Sequence, residues 1–173
     1  TPGVGSAVRE ILREPEAVHA LTGLDNTIAV VSNGTAVLGF GDAGPRAAIP
    51  VMEGKACMFK LLAGIDCIPL CVDAPTPERL IAVLQALAPS VAGFNLEDVA
   101  APMCFEVTRA AERTLPVPTL HDDQYGTAAA VVAALINACK VLDRRPGNLR
   151  VVVNGIGAAG VAAVQLLRAL PVG

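Results

Sequence analysis

Apolar residues in this chain cluster in short, mainly apolar runs at 28–31, 68–72, 91–95, 117–120 and 149–153, separated by segments in which they recur at helical spacing. Runs of this kind mark strands covered on both faces, so the pattern predicts an α/β fold: a mostly parallel sheet with helices on both faces. The helical segments are 102–115, 127–142 and 158–170, with one more carrying Val51, Cys57, Met58, Leu61 and Leu62. Thr76-Pro77-Glu78 places an N-cap, a proline at the first helical position and an acidic first turn ahead of Leu80, Ile81, Val83, Leu84 and Leu87. That marks another helix start. Asn33-Gly34, between runs 28–31 and 36–38, reads as a hairpin turn because both residues tolerate positive φ. In an open parallel sheet, ligands gather at the carboxyl ends of the strands.

Composition narrows the function classes. Of 173 residues, 53% are hydrophobic and 17% charged, which excludes disorder, since a chain this apolar can offset its conformational entropy by burial. The mean hydropathy of +0.56 invites a membrane reading. The longest apolar runs, such as 128–136, stop far short of the ~18–20 residues a span needs. A net charge of −3, no Lys/Arg cluster, one Tyr and no Trp leave no footprint for nucleic acid. Five cysteines at 57, 67, 71, 104 and 139 form no CxxC pair and read as reduced, buried thiols of a cytoplasmic protein. Asp143-Arg144-Arg145-Pro146-Gly147-Asn148 is polar and turn-rich, and suggests a boundary between one domain at 1–145 and the start of a second at 146–173.

Three groups of residues could carry chemistry. Gly155-Ile156-Gly157-Ala158-Ala159-Gly160 sets G-x-G-x-x-G between a predicted strand and a predicted helix, the arrangement of a Rossmann-type dinucleotide loop, although a plain glycine-rich turn has the same letters. Glu97 and Asp98 follow one predicted strand, and Asp122 and Asp123 follow the next. Such pairs either converge on a hard cation such as Mg²⁺ or Mn²⁺, or cap the helices that follow them. Lys55 lies in an otherwise apolar helix, where it is either solvated or desolvated enough to act as a neutral base. His19 and His121 have no evident nucleophile or base partner and are left out of any mechanism.

The motifs Thr1-Pro2-Gly3-Val4, Gly34-Thr35-Ala36-Val37-Leu38-Gly39, Pro50-Val51-Met52-Glu53-Gly54-Lys55-Ala56, Asn95-Leu96-Glu97-Asp98 and His121-Asp122-Asp123-Gln124-Tyr125-Gly126-Thr127 occur in this order along the chain. Together with the glycine loop, they resemble the successive motifs of small bacterial malic enzymes over nearly the whole chain. The resemblance implies oxidative decarboxylation of L-malate to pyruvate and CO₂, with reduction of NAD or NADP and a divalent Mg²⁺ or Mn²⁺. It also implies a homodimer. On this reading Lys55 accepts the proton of the C2 hydroxyl, Asp122 tunes that lysine, and Glu97, Asp98 and Asp123 hold the metal. Residues 155–160 take the nucleotide.

The departures from the family pattern matter as well. In the family, the general acid is a tyrosine just before the Thr-Pro-Gly-Val motif, and this sequence opens one residue later, so both its ends read as cut and the piece alone is expected to be inactive. Tyr125 is not the replacement; it is expected to form part of the site wall. Ile156 is bulkier than the family's usual alanine between the two glycines. The alternatives are a malolactic or oxaloacetate-decarboxylating relative, or a binding module that has lost its chemistry.

Overall fold

The computed structural model describes residues 2–170, so Thr1 of the opening motif and residues 171–173 lie outside the described residues. Two short helices, α1 (Val4–Arg13) and α2 (Ala17–Leu21), lead into a layered unit. In order it contains β1 (Thr27–Ser32), α3 (Gly44–Ala63), β2 (Asp66–Cys71), α4 (Pro77–Leu87), β3 (Gly93–Leu96), α5 (Met103–Thr114), β4 (Thr119–His121), α6 (Thr127–Val141) and α7 (Ala158–Ala169). The four strands are parallel in the order β2-β1-β3-β4. The expected α/β architecture is present.

Side-chain alternation along the strands divides the core. Ala29 and Val31 of β1 and Phe94 and Leu96 of β3 pack with Leu80 and Leu84 of α4 and Cys104 and Val107 of α5, all buried. On the other face, Ile28, Asn95 and Leu120 line a recess with Phe59 of α3. Helices therefore cover both faces. The N-cap read at Thr76 is made, its side chain accepting from the Arg79 N–H at 3.4 Å. Pro69 sits in β2, an edge strand, where the ladder can spare an N–H.

Three local expectations give way. No hairpin forms at Asn33-Gly34: β1 is bonded on both sides, to β2 and β3, so residues 36–38 find no edge to pair with. Gly34, at φ 70°, instead brings the chain against Gly44, whose carbonyl oxygen would lie 2.3 Å from a Cβ added there. The run 149–153 forms no strand among the described residues, and Val152 is almost fully exposed. Cys57 is exposed rather than buried, while Cys104 and Cys139 are buried as expected. Among the described residues, no helix is long and apolar enough to cross a membrane.

Candidate active site

The acidic residues sit where the topology directs them, just past the carboxyl ends of β3 and β4. Glu97 and Asp98 follow Leu96 directly and are buried; Asp122 and Asp123 begin a five-residue π-helical turn, Asp122–Gly126, between β4 and α6. π turns are uncommon and concentrate at functional positions. One oxygen from each of Glu97, Asp98 and Asp123 lies within 4.8 Å of the other two. The capping alternative is not what the structure contains. Neither α5 nor α6 has a side-chain cap bond, and Asp123 Oδ2 accepts instead from the Asp98 N–H at 2.9 Å.

Lys55 reaches the same place from the middle of α3. Its Nζ lies 2.5 Å from Asp122 Oδ2 and 3.0 Å from Glu97 Oε1, with a quarter of the side chain exposed. Burial alone lowers the pKa of this amine, but hydrogen bonds and charge from Asp122 and Glu97 together raise it above its ordinary value. In this state Lys55 is an ammonium. The expectation of a neutral amine from burial alone therefore does not describe it.

Asn95 carries no mark of its own as a functional position in the sequence. It donates to Glu97 Oε2 at 3.0 Å and so fixes the carboxylate from below. The signal was available, because residues two apart on a strand share a face. Nor does the sequence mark Gly126: a Cβ there would lie 1.9 Å from Asp122 Oδ1, so the carboxylate facing Lys55 occupies the space a side chain would need.

The electrostatics are those of a site short of positive charge. Burial, then repulsion from Asp123, pushes the Asp98 carboxyl up to about 6, with Lys55 pulling the other way. Asp98 Oδ2 is buried and without a hydrogen-bond partner, and the residue holds φ 55°, a left-handed conformation that is uncommon outside glycine. Burial also raises Glu97 against the pull of Lys55 and Asn95. Burial lowers the His121 pKa, opposed by Asp123, the Val99 backbone carbonyl and Asp122. Three converging carboxylates with an unbonded buried oxygen fit a hard divalent cation, which takes oxygen ligands and relieves that repulsion.

Helix α7, which follows the glycine loop, packs against the turn that carries Asp122 and Asp123. Residues 155–157 precede α7 as an open loop, with Gly155 at φ 115°. A Cβ on Gly160 would lie 2.2 Å from the Gly155 carbonyl oxygen, so the third glycine is where helix and loop meet most closely. Ile156 points outward and is 86% exposed, clear of that contact. Tyr125 lines a small recess with Phe105, Arg109, Val161 and Gln165.

Residues 1–81 match the family described as malic enzyme, N-terminal domain. A relative from Geobacillus stearothermophilus named NAD-dependent malic enzyme is 48% identical over 169 residues, covering 98% of this chain and 35% of its own length. The chain is homologous to the malic enzymes. Another malic enzyme homologue, the bifunctional malic/malolactic enzyme of Bacillus subtilis, is 42% identical over 167 residues, covering 96% of this chain and 41% of its own length. The crystal structure of the NAD-dependent malic enzyme of Thermotoga maritima superposes with a TM-score of 0.95 at 46% identity, over 99% of this chain and 46% of that one. The chain thus spans less than half the length of these malic enzymes.

Proposed function

We propose that the protein carrying this chain catalyses the metal-dependent oxidative decarboxylation of L-malate to pyruvate and CO₂ with NAD or NADP. The observation that carries this reading is the meeting of Glu97, Asp98 and Asp123 oxygens within 4.8 Å of one another, beside a lysine whose Nζ is 3.0 Å from Glu97 and 2.5 Å from Asp122. The homology supports it. Residues 1–145 would form the substrate and metal domain, and 146–173 the start of the nucleotide domain.

Glu97, Asp98 and Asp123 would hold the divalent cation. When bound, that cation supplies Lewis acidity toward the C2 oxygen of the substrate. Asn95 keeps Glu97 oriented. Residues 155–160 would hold the pyrophosphate of the dinucleotide, which, when bound, supplies the hydride acceptor. Lys55 accepts the proton of the C2 hydroxyl at Nζ. For that it must be a free amine. Glu97 is one of the two carboxylates that keep it charged, and a cation held by Glu97 would weaken that hold on the amine. Asp122 stays to hold the amine in place.

The direct test is the whole protein with L-malate, Mn²⁺ and each nucleotide in turn. Reduced nucleotide and pyruvate should appear together; neither appearing with either nucleotide overturns the reading. The bifunctional relative favours one second reading, malolactic conversion, in which lactate accumulates without net release of reduced nucleotide.

Two smaller results are expected. Protons compete with the cation for Asp98, whose carboxyl titrates at about 6. Mn²⁺ affinity should be flat above that pH and fall by up to roughly tenfold per unit below it, as expected for one ligand proton. Asp98→Asn should bind more weakly and lose the part of that slope due to Asp98, as read by Mn²⁺ titration. Gly160→Ala forces a Cβ to 2.2 Å from the Gly155 oxygen. Overpacking of this kind costs about 1–3 kcal/mol, so NADH binding followed by fluorescence should weaken by roughly tenfold with Mn²⁺ binding unchanged.

A further inference from the structure

His121 closes β4 and is completely buried, yet neither of its ring nitrogens makes a well-formed hydrogen bond. Nδ1 points at the acidic cluster, 3.9 Å from Asp123 Oδ2, too far for a hydrogen bond and close enough that a small shift makes one. An apolar residue would fill this space without the cost of burying two polar atoms. The position holds an imidazole nonetheless.

We propose that His121 is a positioning residue for the cation site, donating its Nδ1–H to Oδ2 of Asp123 when that carboxylate engages the metal. The inference rests on reading Glu97, Asp98 and Asp123 as the cation's ligands. Asp123 is the least buried of the three and the only one that comes from the turn after β4. Its one protein hydrogen bond from the cluster comes from the Asp98 N–H, which itself sits on a strained backbone. A second donor from a rigid strand end holds the carboxylate plane without adding charge. A neutral imidazole has a single N–H, and two acceptors compete for it, the Val99 carbonyl and Asp123 Oδ2. The carboxylate, being charged, is the stronger acceptor. The proton therefore belongs on Nδ1, and supporting donors of this kind are worth 10- to 100-fold in metal affinity.

The test compares His121→Leu, His121→Asn and Asp123→Asn in the whole protein, with free Mn²⁺ followed by electron paramagnetic resonance. His121→Leu should weaken Mn²⁺ binding at least tenfold, and His121→Asn, which keeps a donor, should recover part of the loss. Asp123→Asn should abolish binding. Wild-type affinity in His121→Leu, with binding lost in Asp123→Asn, overturns the role of His121 and leaves the cation site standing. Wild-type affinity in Asp123→Asn overturns the cation site itself. Should the leucine variant fail to fold, nitrogen NMR of the Mg²⁺-loaded wild type decides: an Nδ1–H tautomer at His121 supports the proposal and an Nε2–H tautomer overturns it.

Discussion

Replacing Lys55 with methionine is expected to lower L-malate turnover by about 10²–10⁴-fold, the range that a positioned general base contributes. Mn²⁺ binding should survive, because the lysine is not a ligand and its loss frees Glu97 Oε1, 3.0 Å away, to face the cation. The variant that separates explanations is Lys55→Arg. A guanidinium preserves the positive charge beside Asp122 and Glu97 but cannot give up its proton in a protein. If the position served only to balance the carboxylates, arginine would restore activity. If it accepts a proton, arginine should be as inactive as methionine. Steady-state rates at saturating Mn²⁺ and nucleotide, with Mn²⁺ titrations on the same samples, make the comparison.

Asp123→Asn is expected to remove both metal binding and turnover. The amide keeps the shape but loses the charge, and it sits where Asp98 and Glu97 supply negative charge of their own. The loss of affinity should exceed the 10- to 100-fold that changes to a ligand's supporting partners cost. Stability should move the other way or not at all: Asp123 raises the carboxyl pKa of Asp98 and of Glu97, so neutralising it relieves repulsion in the metal-free protein. A thermal melt without metal that is unchanged or higher, alongside lost Mn²⁺ binding, would distinguish a missing ligand from a damaged fold. A lower melting temperature would point to damage.

The sequence made legible whatever depends on near neighbours or on strand ends. Thr76-Pro77-Glu78 begins α4 because capping is decided within four residues. The acidic pairs were placed at the ends of two strands, and parallel pairing of β3 with β4 then brings those ends side by side. What stayed hidden was decided at a distance. Lys55 lies 67 residues from Asp122 in the chain, and only the packing of α3 on the sheet makes their ion pair, so burial by itself gave the wrong sign for the amine. Asn33-Gly34 carries a sound local turn signal, and its hairpin fails because other strands take both edges of β1. His121 offered no sequence partner at all; its surroundings come from the fold.

The five-residue π turn at Asp122–Gly126 also sets a rule for which sequence changes this segment can absorb. Adjacent aspartates on this turn are claimed by different neighbours, Asp122 by Lys55 and Asp123 by the Asp98 amide. Deleting one residue would tighten the turn toward α geometry and swing everything after it by roughly 100° about the helix axis, so at most one aspartate could keep its neighbour. Substitutions at positions flanking the two aspartates are survivable where shape is kept, whereas insertions and deletions between β4 and α6 should be lethal to the site.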